Sequence, residues 1–306
     1  MGDKILNIAI AFDNNYLSPV YALLTSVFEN NTGSHVNIHS IVSGITTLQK
    51  EELIAYVKKY GATIYYYKLD YDFSVLFKLN SQMWWTESIF YRLLFPIIVP
   101  EHVDKLLYLD TDIIVLKNLA ELYSTDMGEM PVAAVRDFVD YRPELGICSL
   151  NSYFNSGVLL ISRKKWIEQD ITTKALSYIK DNADKLLFPD QDALNAVLLN
   201  NWVKLSTKFN VMFKDIPADL SKSQIKLFLE DIVILHYTSQ HKPWSILGKN
   251  RLRFLYRFYL WKAPVLYRIR YTDFVWNRHK LREALEIRLT EMCTDYPWLS
   301  KAINKK

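Results

Sequence analysis

The stretch Leu106-Leu107-Tyr108-Leu109-Asp110-Thr111-Asp112-Ile113-Ile114-Val115 sets two carboxylates, one residue apart, inside an otherwise continuous apolar run. Such a run is typical of a buried strand, in which a charge is costly unless it is paired or ligated. We therefore predict that the strand ends near Asp110 and brings both carboxylates to a sheet edge. Hard divalent metals take such oxygen ligands, and Mg²⁺ or Mn²⁺ would in turn hold a diphosphate. The stretch predicts a metal–nucleotide site, with a pair of turn or cap aspartates as the ordinary alternative.

The segments before this stretch alternate between strand and helix patterns. Strands are predicted over residues 6–12, 36–42 and 63–67, and helices over residues 20–28 and 47–60. This alternation predicts an α/β fold with a parallel sheet covered by helices, in which ligands sit at the carboxyl ends of strands. Residues 13–16, Asp-Asn-Asn-Tyr, occupy that place after the first strand, as Asp110 and Asp112 do after a later one.

The pattern continues beyond these residues. Helices are predicted over residues 84–99, which contain Arg92, and over 164–182 and 192–199; strands are predicted over 132–135, 153–161 and 232–235. Polar clusters follow or open several of these apolar strands. They supply further candidate ligand-binding side chains.

Composition limits the class of protein. The chain has 306 residues, half of them hydrophobic, so it can bury a large core as one domain or two. Two cysteines, Cys148 and Cys293, exclude a disulfide scaffold and fit a reducing compartment. The amino terminus lacks the features of a signal peptide and no apolar run reaches transmembrane length, so a cytoplasmic location is expected.

Several residues after strand or helix boundaries are candidates for the same site. His236 directly follows the predicted strand 232–235 and could join the carboxylates around a transition-type ion, which favours Mn²⁺ over Mg²⁺. Lys242 is six residues further on and could bind phosphate, whereas His241 lies in the loop and ranks lower. For Asp190 and Gln191 the ordinary alternative is a helix cap, for Asn155 it is a strand-end hydrogen bond, and for Arg92 it is a salt bridge. Asp192 is expected to be only a cap.

Other nucleotide chemistries lack their motifs. The turn after the first strand has no glycine, which argues against a dinucleotide oxidoreductase, and no Gly-Lys-Ser/Thr sequence of a P-loop enzyme is present. No Gly-x-Ser-x-Gly sequence or Cys/His nucleophile arrangement stands out.

Together the motifs resemble the retaining glycosyltransferases of family 8, which include bacterial lipopolysaccharide galactosyl- and glucosyltransferases and glycogenin. The resemblance covers about residues 5–245. It implies a GT-A fold, in which one Rossmann-like nucleotide-binding half is fused to an acceptor-binding half. The motifs are Ala11-Phe12-Asp13-Asn14-Asn15-Tyr16, Tyr91-Arg92, Leu107-Tyr108-Leu109-Asp110-Thr111-Asp112, Phe154-Asn155-Ser156-Gly157-Val158, Asp190-Gln191-Asp192, and His236-Tyr237 with Lys242-Pro243-Trp244.

The resemblance also implies roles for individual residues. Asp110, Asp112 and His236 would ligate Mn²⁺. The uridine of a UDP-hexose would be held by Ala11, Asp13, Asn15 and Tyr16, its phosphates by Lys242 and Ser239, and its sugar by Arg92, Asn155, Asp190 and Gln191. Ser239 stands where the bacterial galactosyltransferases have a glycine, which works against a close backbone approach to phosphate.

The expected reaction is metal-dependent transfer of galactose or glucose to a glycan or glycolipid hydroxyl, with retention. We favour front-face substitution, with Asp190 and Gln191 as electrostatic and positioning groups, over a covalent intermediate on Asp190. The alternatives are a nucleotide-sugar-binding protein that has lost catalysis and a nucleotide-sugar hydrolase. The sequence does not decide between galactose and glucose, and it does not give the acceptor, the linkage or the oligomeric state.

The residues after 248 differ in character from those before. Residues 249–306 contain fourteen Lys and Arg against five Asp and Glu, a balance of +9, so residues 1–248 carry −5 of the net +4. We predict a catalytic domain over 1–248 and a basic, aromatic helical region over 249–306, with helix from 267 to 292 carrying Leu281, Leu285, Leu289 and Met292 on one stripe. This region would either pack its aromatics on the core or adsorb to an anionic membrane surface, which makes the enzyme peripheral on the cytoplasmic face. Nucleic-acid binding is a weaker interpretation.

Overall fold

The computed structural model describes residues 4–69, 87–139, 141–149 and 152–299 of the chain. Its strands are β1 (Lys4–Asp13), β2 (Ser34–Ser43), β3 (Thr63–Tyr67), β4 (Lys105–Leu109), β5 (Ile113–Val115), β6 (Val132–Arg136), β7 (Phe154–Ser162), β8 (Val203–Lys204), β9 (Val211–Met212) and β10 (Ile234–His236). Its helices are α1 (Leu17–Asn30), α2 (Thr47–Lys58), α3 (Phe95–Ile98), α4 (Ala120–Tyr123), α5 (Arg163–Glu168), α6 (Ile171–Asp181), α7 (Pro189–Val197), α8 (Lys222–Phe228), α9 (Arg253–Leu260) and α10 (Arg278–Asp295). The predicted α/β class is confirmed.

Seven strands form one sheet in the order β3-β2-β1-β4-β7-β6-β8, and β5, β10 and β9 form a smaller one. Strands β1 to β4 are parallel, but β7 runs antiparallel to both of its neighbours. The prediction of a parallel sheet is therefore wrong at β7, because no crossover helix joins β6 to β7 in the part of the chain that the structure describes. The reversal places the amino end of β7 at the same edge as the carboxyl ends of the parallel strands, with Val158 opposite Leu109.

Both faces of the large sheet are buried, which explains why its central strands are almost continuously apolar. On β1, Ile8 and Ile10 belong to the core that includes α1 and α2, while Ala9 and Ala11 belong to the core on the opposite face. Polar side chains are therefore excluded from most of the strand and collect where it ends.

Two of the predicted helices are broken. The segment 164–182 forms α5 and α6, separated at Asp170, whose φ of 51° lies in the left-handed region. The helix predicted over 84–99 lies partly outside the described residues. From residue 87 onward it consists of two 3₁₀ turns, Glu87–Ile89 and Tyr91–Leu93, followed by α3. Pro96 explains this break, because proline lacks an amide proton and its ring clashes with the preceding turn.

The segment after residue 248 packs on the core through one face of α9. Tyr256, Tyr259 and Leu260 belong to the same buried cluster as α1. The Tyr259 hydroxyl accepts a hydrogen bond from Asn30 Nδ2 at 3.0 Å. For this face, the interpretation of aromatics packed on the core is the one that the structure shows.

The last helix differs from the prediction. It runs from Arg278 to Asp295 and does not begin at residue 267, which ends a 3₁₀ turn. Leu285, Leu289 and Met292 on the predicted stripe are exposed, and Ala284 is the buried residue of this helix. None of the described helices is long and apolar enough to cross a membrane.

Candidate active site

The Asp110-Thr111-Asp112 turn connects the two sheets, because β4 ends just before it and β5 begins just after it. The amide of Asp110 donates to the carbonyl of Gly157 on β7 at 2.8 Å. The carbonyl of Asp112 accepts from the amide of Tyr237, next to β10, at 2.9 Å. The predicted strand end is confirmed, and backbone bonds to both sheets fix the two carboxylates.

His236 reaches these carboxylates because β10 pairs antiparallel with β5, with His236 opposite Ile113. Its Nε2 lies 3.0 Å from Asp112 Oδ1 and 3.7 Å from Asp110 Oδ2. One ligand atom from each of the three residues lies within 4.8 Å of the others. Two carboxylates and an imidazole suit a divalent ion such as Mn²⁺ and also admit Mg²⁺. The structure thus brings the three predicted ligands together, and they fit a divalent cation.

Gly157 has no room for a side chain beside this cluster. A Cβ there would overlap His236 Cε1 and would lie 2.6 Å from Asp110 Oδ2 and 3.0 Å from Asn155 Oδ1. Real Cβ atoms do not approach other heavy atoms so closely. The glycine therefore allows β7 to pass directly beside the metal-binding side chains.

Lys242 lies on the same cluster. Its ammonium forms an ion pair with Asp112 Oδ2 and donates to the carbonyl of Tyr237 at 2.9 Å. Burial would raise the pKa of Asp112, but Lys242 and His236 outweigh it and hold that pKa well below its usual range. Asp112 is therefore a carboxylate at neutral pH.

Arg92 joins the metal cluster to the first turn of α7. Its guanidinium pairs with Asp110 Oδ1 at 2.9 Å and with Asp190 Oδ2 at 3.0 Å. It also donates to the carbonyl and hydroxyl oxygens of Ser156 at 2.8 Å and 2.7 Å. Burial raises the pKa of Asp190, although Arg92 opposes that rise. Burial alone would lower the pKa of Arg92, but the two aspartates raise it overall, so the guanidinium stays charged between them.

Gln191 lies in the first turn of α7 and is held by β7. Its Oε1 accepts from the amide of Ser156 at 2.9 Å and from Asn155 Nδ2 at 3.1 Å. Its Nε2 donates to Asp137 Oδ2 at 3.2 Å, and Asn155 Nδ2 donates to the same oxygen at 3.0 Å. One hydrogen-bonded group therefore contains three of the predicted sugar-site residues. Asn155 bonds directly to Gln191, and Ser156 connects Asp190 to them.

Asp192 stabilises the start of α7, but not from the predicted position. The helix begins at Pro189, as expected for proline in a first turn, and its N-cap residue is Phe188. The buried carboxylate of Asp192 accepts from the amides of Leu187 at 2.7 Å and Phe188 at 3.0 Å, and it pairs with Arg142 at 3.1 Å. Asp192 therefore caps the helix from within its first turn, but its ion pair with Arg142 shows that the prediction of a cap alone is wrong.

A cavity of about 330 Å³ adjoins the metal cluster. Six predicted site residues line it: Ala11, Tyr16, Arg92, Asp110, Asp112 and Lys242. Asp13, the last residue of β1, caps the 3₁₀ turn Asn14–Tyr16 that leads to the cavity, and its Oδ1 accepts from the amide of Asn15 at 2.8 Å. Burial, with Asp112 and Asp13 nearby, raises the pKa of Tyr16 to about 12, so its hydroxyl keeps its proton.

In the loop after β10, Ser239 adopts the left-handed backbone conformation that glycine favours, with a φ of 75°. Its Oγ accepts from the amide of His241 at 3.2 Å. The loop therefore keeps the left-handed conformation at this position although serine, unlike glycine, carries a Cβ. His241 lies outside the metal cluster; its Nδ1 accepts from the amide of Lys249 at 3.4 Å.

Two residues that hold the site, Asp137 and Asn210, were not predicted from the sequence. Asp137 follows β6 directly, so the rule that polar residues at the carboxyl ends of strands are candidates could have found it. Asn210 precedes β9, a two-residue strand that no pattern predicted, and its Oδ1 lies 3.0 Å from His236 Nδ1. A polar residue between Phe209 and Val211 was the available signal.

A cluster of metal-binding side chains beside a cavity, at the carboxyl edge of such a sheet, is typical of enzymes that bind nucleotides. The model of "Glycosyl transferase family 8" matches residues 7–248. The chain therefore belongs to this family and is a glycosyltransferase.

Individual relatives agree with this assignment. "Lipopolysaccharide 1,2-glucosyltransferase" of Escherichia coli is 30% identical over 251 residues, which are 79% of this chain and 74% of that protein. "General stress protein A" of Bacillus subtilis (strain 168) is 29% identical over 270 residues, 84% of this chain and 94% of that one. The crystal structure of the galactosyltransferase LgtC with donor and acceptor sugar analogues superposes with a TM-score of 0.71 at 21% identity, over 86% of this chain and 99% of that one. The GT-A fold implied by the motifs is confirmed.

Proposed function

We propose that the protein is a metal-dependent, retaining glycosyltransferase that moves galactose or glucose from a UDP-sugar to a hydroxyl of a bacterial surface glycan or glycolipid. The observation that carries this proposal is the Asp110, Asp112 and His236 cluster beside a cavity, in a chain of family 8. The two hexoses are those named for the relatives, a glucosyltransferase of lipopolysaccharide and a galactosyltransferase.

The donor nucleotide would lie in the cavity, with uridine near Ala11, Asp13, Asn15 and Tyr16. A divalent ion held by Asp110, Asp112 and His236, Mn²⁺ in preference to Mg²⁺, would supply positive charge to the diphosphate when it is bound. The ammonium of Lys242 stabilises the leaving diphosphate by pairing with phosphate oxygens instead of with Asp112. Ser239, in its left-handed conformation, would contact the phosphates from the loop after β10.

The sugar would lie against Arg92, Asn155, Asp190 and Gln191. Asp190 Oδ2 already forms an ion pair with Arg92 Nε at 3.0 Å and accepts a hydrogen bond from Ser156 Oγ at 3.1 Å, which weakens it as a nucleophile. Gln191 is neutral, and its oxygen accepts two further hydrogen bonds. We therefore favour front-face substitution, in which the acceptor oxygen attacks the face that UDP leaves. A kinetically competent glycosyl adduct on Asp190, found by mass spectrometry, would contradict this mechanism.

The direct test is release of UDP from UDP-galactose or UDP-glucose in the presence of Mn²⁺ and a panel of glycans. Removal of the metal with EDTA should abolish release, and added Mn²⁺ should restore it. Linkage analysis of the product identifies donor and acceptor together. Binding of the donor without turnover on any acceptor would instead indicate a binding protein, and free hexose that added glycan does not suppress would indicate a hydrolase.

We also propose that residues 249–306 attach the enzyme to the cytoplasmic face of an anionic membrane. On α9 and just after it, Phe254, Phe258 and Trp261 are each more than half exposed. Cations accompany them, since Lys262 Nζ lies 4.4 Å from the centre of the Phe258 ring and the Arg268 guanidinium lies 5.0 Å from that of Trp261. Aromatic rings with neighbouring cations suit the headgroup region of anionic lipids. The division of the chain at residue 248 stays a prediction.

A further inference from the structure

We propose that Asn210 is a positioning residue that fixes the tautomer of His236 and so directs the lone pair of Nε2 toward the metal. This proposal rests on the metal site of the proposed function. Asn210 is not itself a metal ligand. It directly precedes β9, whereas the two carboxylates lie in the turn between β4 and β5.

A backbone amide fixes the orientation of the neighbouring Asn155 side chain. The amide of Gly157 lies 3.0 Å from the side-chain oxygen of Asn155. A backbone amide can only donate, so the atom of Asn155 that faces it must be the oxygen. On the other side of the same side chain, Asn155 Nδ2 faces Asp137 Oδ2 at 3.0 Å and Gln191 Oε1 at 3.1 Å, both acceptors. The orientation of the Asn155 amide is therefore determined from both sides.

The orientation of Asn210 follows from that of Asn155. Asn210 Nδ2 lies 2.9 Å from Asn155 Oδ1, which is an acceptor, so Asn210 must present its NH₂ group there. Its oxygen then faces His236 Nδ1 at 3.0 Å. An amide oxygen cannot donate, so the proton of this hydrogen bond belongs to Nδ1. In the neutral imidazole the lone pair is then on Nε2, and it faces Asp112 Oδ1 at 3.0 Å, a contact that is favourable only with a cation between the two atoms.

Burial removes the competing arrangements. Asn210 is 0% exposed and His236 is 3% exposed, so water does not readily replace either hydrogen bond. Turning the Asn210 amide over would set its NH₂ against the Nδ1 proton and its oxygen against Asn155 Oδ1. The contact with Asn155 Oδ1 would be repulsive for either tautomer of His236, in a place where an unpaired polar group is costly.

The same side chain links the two halves of the site. Asn155 connects Asn210 to Gln191, so one chain of amides runs from the metal-binding imidazole to the predicted sugar-binding residues. Outer hydrogen bonds to a ligating histidine commonly fix its tautomer and raise its metal affinity, and their loss costs about tenfold to a hundredfold in that affinity. We expect the loss at Asn210 to fall in this range.

The experiment measures Mn²⁺ binding by the electron paramagnetic resonance signal of free Mn²⁺, without donor or acceptor. Asn210→Leu removes both hydrogen bonds and should weaken binding at least tenfold. Asn210→Asp keeps an acceptor for Nδ1 but loses the donor to Asn155 Oδ1, so it should bind Mn²⁺ more tightly than Asn210→Leu without matching the wild type. Asn31→Leu is the matched control, because Asn31 is equally buried but bonds only to the backbone of Val27 and Leu119, and it should leave Mn²⁺ binding unchanged.

A second measurement does not depend on any variant. In the ¹⁵N-histidine NMR spectrum of the wild type with diamagnetic Zn²⁺ bound, the His236 proton should be on Nδ1, and metal coordination on Nε2. A proton on Nε2 would overturn the proposal, as would an intact, folded Asn210→Leu variant that binds Mn²⁺ within threefold of the wild type. Failure of the wild type itself to bind Mn²⁺ would overturn the metal site of the proposed function, which is a separate result.

Discussion

The edge of the large sheet and the outer face of α9 depart from the usual distribution of side chains in opposite ways. At the edge, Arg92, Asp190 and His236 are polar or charged and yet almost wholly buried. On α9, Phe254 and Phe258 are large and apolar and yet more than half exposed. Buried charges are stable only with partners inside the protein, whereas exposed aromatics gain stability only from a partner outside it.

This difference predicts how each region responds to substitution. At the sheet edge every group named above is held by its neighbours, so a single change should disturb several contacts and have a large effect. On α9 each exposed side chain acts almost independently, so effects should be moderate and should accumulate. The following predictions test that contrast, from the largest expected effect to the smallest.

The largest effect is expected at the carboxylates. Asp110→Asn and Asp112→Asn should each lower Mn²⁺-dependent transfer by about a hundredfold to a thousandfold, because each removes charge from the cation site. Initial rates of UDP release measure this loss. Asp219→Asn, at an exposed position outside the site, is the control and should keep the full rate. If both site variants kept their activity, the Asp-Thr-Asp stretch would be an ordinary turn.

The next effect concerns packing beside the carboxylates. Gly157→Ala should cost about 1–3 kcal/mol in unfolding free energy, because the new methyl group overlaps His236 and Asp110, and it should also weaken Mn²⁺ binding. Denaturant unfolding and metal titration measure the two losses. Gly33→Ala is the matched control, since no atom lies within 4 Å of a Cβ there. Equal stability of the two variants would mean that β7 can move away from the cluster.

At the exposed apolar residues just after α9 the expected effect is smaller. Trp261→Ser combined with Leu266→Ser should weaken binding to anionic vesicles about tenfold and leave the melting temperature unchanged, since both side chains are more than two-thirds exposed. Co-sedimentation with vesicles measures this change. Leu48→Ser, at an apolar residue of α2 that is 65% exposed, should have no effect. Unchanged sedimentation of the double variant would remove the membrane proposal, and binding to RNA in its place would support the weaker interpretation.

Surface substitutions are a better test of that proposal than deletion of residues 249–306. The deletion would also remove Leu252, Tyr256, Tyr259 and Leu260 from the core, so loss of membrane binding could reflect unfolding. Large exposed groups of α9 can be changed without touching this buried face.

The smallest effect is expected at Ser239. Replacing it with glycine should stabilise the protein by about 1 kcal/mol, or about 2 °C in Tm, because glycine adopts a φ of 75° without strain. Asn200→Gly, at another left-handed position, should stabilise the fold less, because asparagine tolerates this conformation better. If Ser239 contacts phosphate, only Ser239→Gly should change the KM for the donor. Identical donor KM values for the two variants would place Ser239 outside the nucleotide site.

Local patterns predicted the longer strands well but missed the two-residue strands β8 and β9, and they placed His236 after the strand 232–235 although it is the last residue of β10. Residues 63–67 match β3, and the end of β4 falls where the first carboxylate interrupts the apolar run. Helix continuity was predicted less well, because apolar periodicity persists across Asp170 and across the turns before Pro96 although the backbone does not. A break of this kind depends on single backbone angles, which a periodic pattern does not contain.

The sequence by itself determined that two carboxylates end a buried strand and that polar clusters end several others, because a charge is excluded from a strand buried on both faces. It also supplied the ordered motifs of family 8. Only the tertiary structure decided that β7 runs antiparallel, which brings Asn155 and Gly157 to Asp110, and that β10 pairs with β5, which brings His236 to Asp112. These pairings join residues far apart in the chain, and so does the contact of Asn210 with His236. They depend on strand direction and register, which no local stretch of sequence specifies.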